Sequence, residues 1–146
     1  MLNYQNILLT VDFSEHDQLV AQKAKALAEQ FHATLHILHV LDNIPMPDTP
    51  YGTVISLTEA SAYELLENEK NKLVRISDQL NIAPAHRWLI WGEPQQEITQ
   101  LALKQQIDLI IVGSHDRHGF AMLTGSTAKD VLYHAECDVL AVHINK

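Results

Sequence analysis

One cysteine, Cys137, is all the thiol chemistry the 146 residues carry. It cannot close an internal disulfide, so the chain is not a stapled secreted scaffold, and a reducing compartment suits it. No apolar run approaches the roughly 20 residues needed to cross a bilayer. The opening Met1-Leu-Asn-Tyr-Gln-Asn6 has no basic stretch ahead of its short apolar run and does not read as a signal peptide. Runs of Lys and Arg are absent, and the net charge is −8. Phosphate backbones and anionic membrane surfaces repel such a chain, which sets aside nucleic acid and membrane as general partners. A nucleotide is a different matter, because backbone N–H groups can hold phosphate without lysine.

What is present is an ordinary globular composition, 47% hydrophobic and 19% charged, at a length that suits one domain over residues 1–146. Apolar β-rich runs alternate with helical patterns. Asn6-Ile-Leu-Leu-Thr-Val11 reads as a first strand, and Val20, Ala24, Leu27, Ala28 and Phe31 mark a helix. Thr34-Leu-His-Ile-Leu-His-Val-Leu41 reads as the second strand. A loop with Pro45, Pro47, Pro50 and Gly52 breaks regular structure, and a long helix follows through Tyr63, Leu66, Leu73, Ile76 and Leu80. His86-Arg-Trp-Leu-Ile-Trp91 reads as a third strand. Pro94 suits the first turn of the next helix, whose apolar face is Ile98, Leu101 and Ala102. Ile107-Asp-Leu-Ile-Ile-Val112 reads as the fourth strand, a short helix is expected over 126–135, and Asp138-Val-Leu-Ala-Val-His-Ile144 as the fifth strand. Strands apolar along their whole length, joined by helices, predict a mostly parallel, doubly wound α/β sheet.

Ligands of such sheets sit beyond the carboxyl ends of the strands, where strand order reverses. Two ends carry suggestive residues. Thr10, Val11, Asp12 and Ser14 close the first strand. Gly113-Ser-His-Asp-Arg-His-Gly119 follows the fourth, and Gly125-Ser-Thr127 then opens a helix whose N–H groups could face phosphate. Helix capping by itself explains Ser14, and also competes with a ligand role for Asp12.

In these residues the chain resembles the universal stress protein family. Ile7-Leu-Leu-Thr-Val-Asp-Phe-Ser-Glu15 is similar to the family's first strand and turn. His39-Val-Leu-Asp42 is similar to the end of its second strand, Val112-Gly-Ser-His115 with Gly125-Ser-Thr127 to its nucleotide loop, and Cys137-Asp-Val-Leu-Ala-Val142 to its last strand. The resemblance implies a Rossmann-like α/β fold with a five-stranded parallel doubly wound sheet of strand order 3-2-1-4-5. It implies a cytoplasmic, nucleotide-binding stress-response protein acting as a dimeric sensor or signalling module. The implied ligand is ATP or AMP, with Mg2+ as an optional companion. By the same resemblance Thr10, Val11 and Asp12 line the adenine and ribose pocket, Val40 and Val112 are its apolar walls, and Gly113, His115, Gly125, Ser126 and Thr127 surround the phosphates.

The family's ATP-binding members carry Gly-x-x-Gly, nine residues, then Gly-Ser/Thr. Here Gly113, Gly125 and Ser126 match. Asp116 replaces the middle glycine, the spacing is one residue short, and Gly119 is out of register. A carboxylate there opposes a triphosphate unless it turns outward or a cation intervenes, which favours AMP.

The alternative is a dimeric interaction protein that has lost its nucleotide. An ATP pyrophosphatase is disfavoured because no Ser-Gly-Gly loop follows the first strand. A phosphorylated receiver domain would need more clustered acids there. No Gly-x-x-x-x-Gly-Lys-Ser/Thr loop is present, so at most slow ATP hydrolysis is expected. Elsewhere the bland readings are preferred. His115 and His118 lie in a solvated loop rather than at a metal, and Arg117 is solvated. His36 and His39 face opposite sides of one strand as satisfied core or edge residues, Trp88 and Trp91 pack, and Cys137 is inert. The last strand, at the sheet edge, is expected to pair with a two-fold mate near His143.

Overall fold

The protein's structure is a computed structural model that describes residues 3–114 and 125–143. The elements run β1 (Asn6–Thr10), α1 (Asp17–Phe31), β2 (Thr34–Leu41), β3 (Thr53–Val54), α2 (Glu64–Gln79), a 3₁₀ turn (Pro84–His86), β4 (Arg87–Trp91), α3 (Pro94–Lys104), β5 (Leu109–Ser114), α4 (Gly125–His134) and β6 (Asp138–His143). They form one sheet in the order β3-β4-β2-β1-β5-β6. The five strands read from the sequence are β1, β2, β4, β5 and β6. They pair in parallel and in the expected 3-2-1-4-5 order.

The sheet has a sixth strand, so the five-stranded count is corrected. Thr53 and Val54 pair antiparallel with Trp91 and Ile90. Gly52 N–H donates to the Trp91 carbonyl at 2.7 Å and Ile55 N–H to that of Leu89 at 2.8 Å. The proline-rich loop thus satisfies an edge of β4 that would otherwise offer unpaired backbone groups. Pro50 precedes this strand and so costs it no donor.

Helices cover both faces. Ile7, Leu9, Ile37, Leu41 and Leu89 pack with α1 and α2 on one side. Leu8, Leu38, Val40, Ile110 and Val112 pack with α3 and α4 on the other. Ile7, Leu8 and Leu9 are all fully buried, which explains why the strands read as unbroken apolar runs.

Helices α1, α2 and α3 end alike. His32, Asn81 and Gln106 take left-handed backbone, with φ of 54°, 56° and 55°. The next residue's N–H then returns to a carbonyl five positions back: Ala33 to Ala28, Ile82 to Ser77, and Ile107 to Ala102. This is the Schellman closure. It accounts for a shifted boundary: Ile107, read as the start of the fourth strand, closes α3 instead. Asp108 then accepts from the Gln5 and Asn6 N–H groups at 2.9 and 3.0 Å, and β5 begins at Leu109.

The turn after β4 is tight against α3. A Cβ on Gly92 would stand 2.6 Å from Glu97 Cγ and Oε2, and Glu97 is buried. Gly92→Ala should therefore cost about 1–3 kcal/mol by overpacking, read as a lower urea midpoint. Adding Glu97→Ala should recover much of the loss, and an equal loss in the double variant would refute the contact as its cause.

Candidate functional site

The crossover helices change sides between β1 and β5. Helices α1 and α2 lie on one face, α3 and α4 on the other. The carboxyl ends of β2, β1 and β5 meet at this switch, in neighbouring register. Thr10, Val40 and Val112 end these three strands on the α3–α4 face, with exposures of 2%, 1% and 0%. Thr10 Oγ1 donates to the Ile111 carbonyl at 3.1 Å, so its hydroxyl ties β1 to β5. The Val11 side chain belongs to the opposite face. Gly113 is buried at the end of β5. The backbone of Gly125, Ser126 and Thr127 forms the first turn of α4. His115 lies outside the described residues, as do Asp116, Arg117, His118, Gly119 and Ile144.

Residues 11–14 make a turn built by three elements. Val11 N–H donates to the Leu38 carbonyl at 3.0 Å. The Val11 carbonyl accepts from His39 Nδ1 at 2.8 Å. Phe13 stands at φ 63°, a left-handed conformation that costs a bulky residue about 1–2 kcal/mol. Asp17 offsets that strain: its Oδ2 accepts from Phe13 N–H at 2.7 Å, and Oδ1 lies 3.5 Å from the Asp12 nitrogen. Asp12 Oδ1 accepts from Ser14 N–H at 3.0 Å, and Ser14 Oγ from His16 N–H at 3.3 Å. The helix-capping reading of both residues is corrected: His16 stands at the N-cap of α1 with no side-chain cap, and Asp12 and Ser14 bond amides two residues on, in the turn ahead of the helix. A carboxylate has about four acceptor positions, so Asp12, half-buried, keeps capacity for a ligand hydroxyl.

Asp17 was invisible as a site residue in the sequence. An acid in a helix's first turn is too common a signal to single it out. Its carboxyl is pushed up to about 8, first by burial and then by the neighbouring Asp12. Both causes disfavour the charged form of Asp17.

The histidines of β2 differ from their common reading. His39 is a bonded core residue. His36 is buried, yet its Nδ1 has no hydrogen-bond partner among the described residues. Burial, then His86 with its ring 4.5 Å away, lowers it to about 4. The ring is therefore neutral near pH 7, which limits the cost of the unmade bond. Trp91 is buried, and its Nε1 donates to the Thr49 carbonyl at 3.0 Å. Burial raises the half-buried Cys137 thiol, with Asp138 and Asp108 adding to it, the reverse of activation.

A cleft of about 540 Å³ opens at the other end of the sheet, lined in part by Lys25, His32, Asn81 and His86. Its one lysine is already engaged: Lys25 Nζ donates to the Leu80 carbonyl at 3.0 Å and lies 3.6 Å from Glu29. The amino ends of parallel strands are not where such folds take ligands, so the switch point is the better site. Among the described residues no group of three or more His, Cys, Asp or Glu could hold a metal.

The sheet and its switch point between β1 and β5 define a Rossmann-like α/β protein. The sequence profile of the universal stress protein family matches residues 3–143, and the chain belongs to that family. Universal stress protein A homolog 2 of Coxiella burnetii is 37% identical over 145 residues, 99% of this chain and 98% of its own. A universal stress protein crystallised in complex with cAMP superposes at TM-score 0.68 and 18% identity, over 97% of this chain and 98% of that one. One from Archaeoglobus fulgidus, in complex with dAMP, superposes at 0.63 and 19% over 97% and 99%. At these identities the structural likeness is one of fold.

The raised Asp17 carboxyl has a consequence for stability. Asp17's folded value lies above its ordinary 3.8, so the native state binds more protons than the unfolded one between about 4 and 8. The stabilisation is complete below 3.8 and is lost as pH rises through about 8. His36, lowered from 6.5 to about 4, acts in the opposite sense below 6.5. Between pH 6.5 and 8 the wild type should therefore lose stability relative to Asp17→Asn, by at most about 1.4 kcal/mol per pH unit. An equal pH dependence of stability in the two proteins across that range would rule out a raised Asp17 carboxyl.

Proposed function

We propose that this chain binds an adenine nucleotide, ATP or AMP, at the switch point of its sheet. The carrying observation is the 11–14 turn, in which β2, α1 and the turn's own carboxylate hold Asp12 at the end of β1. A fixed acceptor there suits a ribose hydroxyl, as acids serve in related dinucleotide folds. Thr10, the backbone of Val11 and Asp12, beside Val40 and Val112, would take the base and sugar. Gly113, His115, Gly125, Ser126 and Thr127 would take the phosphates, helped by the N–H groups opening α4. The cAMP and dAMP bound by the two solved relatives support the ligand class. Mg2+, if used, would arrive with the phosphates. The protein would act as a single-domain cytoplasmic stress-response module that senses nucleotide, with at most slow hydrolysis. No helix among the described residues is long and apolar enough to cross a membrane.

The module would be a dimer joined through β6. That strand is at the sheet edge, with Leu140 exposed and Leu132 and Tyr133 exposed on neighbouring α4. An apolar open edge invites pairing with a two-fold copy. The second reading, a dimeric interaction protein without nucleotide, rests on this same edge together with Asp116.

Calorimetric titration with ATP, ADP and AMP, with and without Mg2+, on nucleotide-stripped protein tests the first reading. Asp12→Ala and Gly125→Val should each weaken binding tenfold or more, with AMP preferred. No heat with any nucleotide at two temperatures would leave the interaction protein. Ala141→Lys, on an exposed edge position, should elute as a folded monomer; a dimer would show that β6 is not the interface.

A further inference from the structure

His39 does more than fill the core. Its ring is 5% exposed and lies between the turn and helix α2. A carbonyl oxygen only accepts, so the 2.8 Å contact with Val11 requires the proton on Nδ1. Nε2 then faces Glu69 Oε1 at 3.3 Å, off the line of a hydrogen bond but within ion-pair reach. Glu69 is 13% exposed and also meets Lys72 at 3.2 Å. His39 foremost, then Lys72, hold its carboxyl below the usual range against the cost of burial. The Phe13 ring packs on the His39 ring, centroids 4.0 Å apart and 33° from parallel, with Lys72 Nζ 5.6 Å from the Phe13 centroid. Helix α2 therefore reaches the turn through the imidazole, at Glu69, and through Lys72 over Phe13.

We propose that His39 is the positioning residue of the nucleotide pocket, clamping the Val11 carbonyl with one ring nitrogen and drawing the hold of Glu69 on α2 through the other. The proposal rests on the nucleotide reading above. Asp12 lies between the two clamped points, Val11 at its carbonyl and Phe13 at its N–H. A turn carrying a left-handed phenylalanine has no reason to keep that shape unaided. With the clamp in place the acceptor is preset, and the ligand need not order it.

Two readouts test this. The first is AMP affinity by calorimetry for the wild type, His39→Ala, His39→Asn and Glu69→Gln. The second is amide hydrogen exchange at Val11 and Phe13 in the same proteins. His39→Ala should weaken AMP about tenfold and speed exchange at both amides. In His39→Asn the side-chain amide nitrogen can take the place of Nδ1 and donate to Val11, so both losses should largely recover. Glu69→Gln should fall between. If His39 only fills space, asparagine will do no better than alanine, and that result overturns the clamp, as does unchanged exchange in His39→Ala. If His39→Ala does not fold, Glu69→Gln exchanging at the wild-type rate overturns it. A wild type that binds neither AMP nor ATP refutes the nucleotide reading instead, and the exchange rates still judge the clamp.

Discussion

Strand β1 has no solvent on either side. Ile7, Leu8 and Leu9 are fully buried, and its backbone is consumed by β2 on one edge and β5 on the other. A strand in that position can offer nothing to a ligand along its length; it can offer only its end. The same burial requires helices on both faces, and helices on both faces require the crossovers to change sides somewhere. They do so at β1 and β5. The most constrained strand of the sheet thus ends at the switch point, where backbone and side chains beyond its carboxyl end are no longer consumed by the sheet.

At that end, polar groups do structural work first. Thr10 spends its hydroxyl on Ile111, Asp17 receives the amide of Phe13, and His39 meets the carbonyl of Val11. Each buried polar atom carries a desolvation cost that only a partner offsets, so these bonds hold the turn in a single arrangement. Asp12 differs. One oxygen accepts from Ser14, and the group retains free acceptor capacity beside a carboxyl that keeps its proton to about pH 8. An acceptor held in place by its neighbours' hydrogen bonds is preorganised.

The two sheet edges contrast. The β4 edge is covered by Thr53 and Val54, drawn from a loop whose prolines suggest only irregular chain. Among the described residues nothing pairs with the outer edge of β6, and Leu140 is exposed there. A covered edge has its backbone groups paired, whereas an uncovered one leaves a row of them without strand partners.

How much of this was legible depends on the range of the interaction. Apolar runs such as Thr34-Leu-His-Ile-Leu-His-Val-Leu41 and the helical spacing of Val20, Ala24 and Leu27 report burial directly. Secondary structure, alternation and the doubly wound class could therefore be read from the chain, as could family membership from motifs spread along it. Pro94 at a helix start and the opposed faces of His36 and His39 were also legible, because both follow from local geometry. The β3 strand was not, since two residues become a strand only when an edge stands beside them. The start of β5 was misplaced because Ile107 serves the end of α3 through a bond to Ala102. Asp17 and Glu69 showed nothing in the sequence, for an acid on a helix is ordinary until it lies against another carboxyl or an imidazole. Local patterning determined which segments bury themselves and in what form. Only the tertiary structure decided which polar groups are forced together, because charge and hydrogen bonding act over a few ångströms of space and are blind to distance along the chain.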